Sequence, residues 1–127
     1  MIRLTKDGGI LHLLLSPPWS GGDEQLYCAA LEEVGDHAGP YAMVVEMRGH
    51  MHLSREGEVW QALWAKRTRE QVSTRCRAVG LVRDAPTERQ RQSFARLWNL
   101  PVLATKNAGE ALAFARHHLE KETSRCP

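Results

Sequence analysis

The chain has 127 residues, 43% hydrophobic and 25% charged, with 17 Lys and Arg against 15 Asp and Glu for a formal net charge of +2. That length suits one domain with a core of ordinary size, and no apolar run reaches the roughly 18 to 20 residues of a membrane-spanning helix. Cys28, Cys76 and Cys126 are too few and too widely spaced for a disulfide framework or a paired zinc motif; with no secretory-type apolar stretch after Met1, a reducing cytoplasm is the expected compartment.

Ile2 to Lys6 alternates and predicts a strand, closed by the hairpin signal Asp7-Gly8-Gly9. Ile10 to Leu15 predicts a second, more buried strand. Ser16 to Gly22, with two prolines and two glycines, reads as a loop. Asp23 to Val34 predicts a helix with Leu26, Tyr27, Ala30, Leu31 and Val34 facing inward. The unbroken apolar run Tyr41 to Met47 predicts a central strand covered on both faces. After a loop from Arg48 to Arg55, Glu56 to about Val72 predicts a second helix with Val59, Trp60, Leu63 and Trp64 as its stripe. Cys76 to Val82 predicts another buried strand. Pro86 is expected in the first turn of a third helix whose inner side carries Phe94, Leu97 and Trp98. Pro101 to Thr105 predicts the last strand, and Asn107, with Glu110 three residues on, caps a fourth helix running to about Lys121 and burying Leu112, Ala115 and Leu119. The order β-β-α-β-α-β-α-β-α implies a single α/β domain over 1–121, with a mixed, mainly parallel sheet of about five strands and about four helices. Residues 122–127 are expected to be a flexible tail.

The near-neutral charge is segregated. From Ser20 to Ala65 eight acids face two bases; from Lys66 to Arg96 nine bases, eight of them arginine, face three acids. Such asymmetry suits complementary docking faces. The bases are spread over two predicted helices and a strand, without an RNA-binding aromatic signature or helix-turn-helix spacing, so nucleic acid is not the expected partner.

Ligands of open α/β sheets sit at the carboxyl ends of the strands. Those ends carry Glu46, Arg48, Arg83, Asp84 and Thr105, a polar set suited to a small ligand. Phosphate-cradling, dinucleotide-binding and nucleophile-elbow motifs are missing, and catalysis is not expected. His50 and His52 could face one way along an extended strand, but only distant His37 offers a third zinc ligand, so no metal or cofactor is expected. His117 and His118 fit the negative end of the last helix. The pair Trp60 and Trp64, followed by Lys66, Arg67 and Arg69, suits either the core or an anchoring surface for a protein partner, which a homodimer could also bury.

The stretch from Val44 to Gly57 is similar to the central motif of STAS domains, the fold of bacterial anti-sigma-factor antagonists. Glu46, Met47, Gly49 and Gly57 match that motif in type and spacing. The element order resembles the same family, especially its divergent SpoIIAA-like branch. The resemblance implies a non-catalytic protein–protein interaction module of a bacterial signalling pathway, with partners docking on His50, His52, Ser54, Arg55, Glu56, Trp60, Trp64 and Arg67. In the family a serine after a loop aspartate is phosphorylated. Here Ser54 stands at the aspartate position and Arg55 at the acceptor position, which implies loss of that switch unless a one-residue slip makes Ser54 the acceptor. Otherwise Ser54 is simply a helix cap. Some proteins of this fold are thought to bind nucleotides or lipid-like molecules, which makes a small-ligand module the alternative reading, again through Glu46, Arg48, Arg83, Asp84 and Thr105.

Overall fold

The structure, a computed structural model, describes residues 1–124. Strands β1 (Ile2–Asp7) and β2 (Ile10–Leu15) form an antiparallel hairpin, followed by α1 (Asp23–Asp36), β3 (Tyr41–Met47), α2 (Arg55–Arg75), β4 (Cys76–Val82), α3 (Glu88–Trp98), β5 (Val102–Thr105) and α4 (Ala108–Ser124). Gly8 and Gly9 turn the hairpin at φ +56° and +86°, a backbone that other residues rarely adopt. The sheet order is β1-β2-β3-β4-β5, with every pair after the hairpin parallel. Element order, sheet type and helix number therefore match the single mixed α/β domain expected from the sequence.

Because each parallel strand lies beside its predecessor, three crossovers of one hand place α1, α2 and α3 on one face of the sheet and leave the other to α4. Strand alternation divides the core accordingly. Leu11, Leu13 and Leu15 of β2, Tyr41 and Met43 of β3, and Val79 and Leu81 of β4 pack under the three helices. Ile10, Ala42, Val44 and Val82 face α4, which approaches through Ala111 and Ala115. Gly80 makes that approach possible, since a Cβ there would lie 2.8 Å from the Ala111 methyl and 3.1 Å from its Cα and carbonyl oxygen.

Several local expectations are corrected. The buried side of α2 is Gly57, Trp64, Thr68 and Val72, with Trp60 partly covered, whereas Val59 and Leu63 are 54% and 62% exposed. Trp64, Thr68 and Val72 recur every four residues, as do Val59 and Leu63 beside them, but the buried side includes a glycine and a threonine that hydrophobicity alone passes over. Thr68 can be buried because its hydroxyl donates to the Trp64 carbonyl at 2.7 Å. On α1, Leu26 is exposed, and the helix runs past Gly35 to Asp36. Helix α3 begins after Pro86, at a capping box in which Thr87 accepts from the Gln90 amide and the Gln90 side chain accepts from the Thr87 amide. Leu97 lies 36% exposed at the rim of the core. Helix α4 continues three residues beyond Lys121, capped at its start by Asn107 as expected. The expected tail thus falls partly in this helix, and its residues 125–127 lie outside the described residues.

Candidate ligand-binding crevice

Between the helical layer and the sheet lies a crevice of about 220 Å³. Leu13 and Leu15 of β2 and Met43, Val45 and Met47 of β3 form its floor, all five pointing to the same side by strand alternation. Helix α2 adds Trp64 and Ala65, and α3 adds Phe94 and Trp98. The aromatic wall is edge-to-face: Trp64 and Trp98 have ring centroids 6.4 Å apart and Phe94 and Trp98 5.6 Å apart.

Three polar residues line the otherwise apolar space: Tyr27 of α1, Gln61 of α2 and Arg83, which follows β4. The Tyr27 hydroxyl donates to Gln61 Oε1, joining the two helices. Burial pushes the Tyr27 phenol up to about 12, with Cys28 adding to the shift and Arg83 opposing it, so the hydroxyl is neutral at physiological pH. Arg83 is half-buried, and burial lowers its pKa from the ordinary arginine value, with Tyr27 opposing. Its Nη1 donates to the carbonyl of neighbouring Val82 at 3.3 Å. No carboxylate among the described residues pairs with it.

The remaining strand-end residues lie on the α4 side. Glu46 is the centre of a polar chain there: Oε1 lies 2.9 Å from His12 Nε2, and Oε2 accepts from Arg48 Nε at 3.0 Å. Arg48 continues to Asp84 Oδ1 at 3.4 Å and to the Lys106 carbonyl, while Asp84 Oδ2 accepts from the Gly49 amide at 3.0 Å. Thr105 is buried and donates to Glu110 Oε2 at 2.8 Å, tying β5 to α4. The five residues read together as one ligand set are therefore split by the sheet. Arg83 shares a face with Leu81, whereas Glu46, Arg48, Asp84 and Thr105 mutually satisfy one another or bond to α4 on the other side. A one-residue change of position along a strand reverses the face, so residues grouped only by their place at strand ends divide between two faces. His12, Tyr27 and Gln61 join these polar groups without standing out in the sequence as site residues. The signal for His12 was its even spacing from Ile10 and Leu14 beside a leucine row facing the other way.

The loop before α2 has its own open depression of about 420 Å³, lined by Trp19, Asp23, Glu24, His50, Met51, His52 and Ser54 among others. His50 and His52 meet edge-on with centroids 4.4 Å apart, and no cluster of three His, Cys, Asp or Glu among the described residues could hold a metal ion. Ser54 caps α2 by accepting from the Gly57 amide at 3.0 Å. Arg55 and Glu56 are exposed in the first turn, and Arg67 pairs with Glu32 of α1 at 2.7 Å. Trp64 is 4% exposed and belongs to the core, so it is not a surface anchor as it stands; Trp60 is partly buried. Gly35 of α1 leaves room for the Trp64 indole: a Cβ at 35 would lie 3.3 Å from Trp64 Nε1.

No helix among the described residues is long and apolar enough to cross a membrane. Comparison of the chain with protein-family models, with curated proteins and with solved structures finds no match.

Proposed function

We propose that the chain is a non-catalytic, STAS-like binding module that holds a small apolar or amphipathic molecule between its helical layer and its sheet. The observation that carries this reading is the crevice itself: an apolar floor and aromatic wall with a few polar groups at one place, the usual makeup of a small-molecule site. The element order and the Glu46-to-Gly57 pattern support the family likeness. The experiment is a thermal-melt series with octanol and similar molecules on the native chain and on Ala65→Trp, which fills the crevice from α2. Binding to the native state raises the melting temperature of the native chain and leaves Ala65→Trp unmoved. No shift with any molecule, or an equal shift in Ala65→Trp, contradicts the reading.

A second function, docking of a protein partner in a signalling pathway, is favoured by a different observation. Val59 and Leu63 lie one turn apart on α2, both more than half exposed, close in sequence to the exposed Arg55 and Glu56. Partner capture lost in a Val59→Ser/Leu63→Ser variant that melts like the parent would support docking there.

A further inference from the structure

The half-buried arginine at the crevice indicates what kind of molecule the crevice takes, an inference that rests on the binding-module reading above. Arg83 follows the fully buried Leu81 and Val82, and strand alternation turns its side chain to the helical side, among the apolar residues of the crevice. A guanidinium stays protonated in proteins and carries five donors. Withdrawing it from water is costly unless an anion or acceptors compensate. Among the described residues its one hydrogen bond is the 3.3 Å contact to the adjacent carbonyl.

The nearby acids are committed elsewhere. Asp84, the next residue, has turned to the other side of the sheet, where Gly49 and Arg48 hold both its oxygens. Glu46 is held by His12 and Arg48 on that same side. Tyr27 is neutral and donates its proton to Gln61. Among the residues that line the crevice, Arg83 is therefore the one cation and none is an acid, and the apolar space lies directly beside it.

We propose that the crevice binds a singly charged amphipathic acid, a medium-chain carboxylate, with its carboxylate on Arg83 and its hydrocarbon along the partly exposed lining residues Met47, Ala65 and Phe94. The planar guanidinium matches a carboxylate in a paired, bidentate geometry. A single cation fits a monoanion better than a phosphate monoester, which carries nearly two charges. Size sets the length. A crevice of about 220 Å³ lies below the roughly 300–1,000 Å³ usual for drug-sized ligands, which favours a short or medium chain over a long one.

The test compares octanoate, octanol, octylammonium and octyl phosphate at neutral pH, by tryptophan fluorescence and calorimetric titration, on the native chain, Arg83→Gln and Arg83→Lys. The native chain is expected to bind octanoate at least about tenfold more tightly than octanol, the scale of one charge-assisted hydrogen bond, and octylammonium most weakly. Arg83→Gln is expected to bind octanoate and octanol alike while keeping its affinity for octanol. Arg83→Lys keeps the charge and hence a reduced preference for the acid, which preserves the test if the glutamine variant does not fold. Equal affinity of the native chain for octanoate and octanol overturns the acid assignment and leaves the crevice reading standing. Tighter binding of octyl phosphate than of octanoate overturns the carboxylate. Binding of none of the four overturns both readings.

Discussion

The carboxylate of Glu24 holds Ser54 at two points, accepting from its backbone amide at 2.6 Å and from its hydroxyl at 2.9 Å. The first turn of α1 is thereby clamped to the start of α2, and an acid already sits at the positive end of that helix. Gly57 makes room for it: a Cβ at 57 would lie 2.5 Å from Glu24 Oε1. A phosphate on Ser54 would have to displace Glu24 or repel it. Ser54→Glu is therefore expected to lower the melting temperature more than Ser54→Ala, whose lost cap costs about 1 kcal/mol. In a double-mutant cycle, Glu24→Gln should recover part of the Ser54→Glu loss. Equal melting of Ser54→Glu and the parent would show that the helix start accepts a second acid.

Trp64 and Trp60 should respond very differently to truncation. Trp64→Ala removes a buried ring that packs on Trp98 and α1, at an expected cost of about 3–5 kcal/mol in chemical denaturation. Trp60→Ala, at a partly covered position, should cost clearly less. A similar cost for both would contradict the assignment of the buried side of α2.

At Gly80 the sheet and α4 approach closely. Gly80→Ala places a methyl against the Ala111 backbone, which cannot move aside as a flexible side chain can. The expected destabilisation is about 1–3 kcal/mol, and Ala111→Gly in the same chain should recover some of it. Unchanged stability of Gly80→Ala would contradict the packing of α4 on β4.

The Gly49 amide, and after it Arg48, hold the Asp84 carboxyl below its ordinary 3.8. A depressed carboxyl stabilises the fold at pH values above its unfolded pKa and loses that contribution as pH falls through the folded one. Asp84→Asn should therefore melt below the native chain near pH 6, with the gap narrowing as the pH is taken below the carboxylate range. A gap that widens in acid would contradict the linkage. Arg48→Met should raise the pH at which the native contribution is lost.

Burial pushes the Cys76 thiol up to about 12, and burial also raises Cys28, which lies only partly covered on α1. In a Cys126→Ser background, a thiol reagent at pH 8 is expected to modify Cys28 slowly and Cys76 only after denaturant is added. Modification of Cys76 in the native chain would show that β4 opens locally.

The order of elements was legible because long apolar runs such as Tyr41 to Met47 and Cys76 to Val82 have one plausible use, a strand covered on both faces. Capping was legible at Ser54 and Asn107, where a short side chain meets an amide three residues on. Facing was not. Arg83 and Asp84 are neighbours in the chain yet serve opposite sides of the sheet, and only the register of β4 between β3 and β5 decides which goes where. Of the four residues expected to form the stripe of α2, Trp60 and Trp64 turn to the core while Val59 and Leu63 lie exposed, for a related reason. Leu63 and Trp64 are equally apolar in a pattern, and it is beside Trp64 that Gly35 of α1 leaves space for an indole. The crevice was invisible in the sequence because its walls come from β2, β3, α2 and α3, and each of those residues alone reads as ordinary core.

The most direct measurement is an NMR titration of the isotopically labelled chain with octanoate, read by intermolecular NOEs from the octanoate methyl group. Binding between sheet and helices predicts contacts to Met47, Ala65 and Phe94, with the largest side-chain shift of any arginine at Arg83. NOEs and shifts confined to the loop from His50 to Ser54, or to the outer face of α2 at Val59 and Leu63, would contradict it.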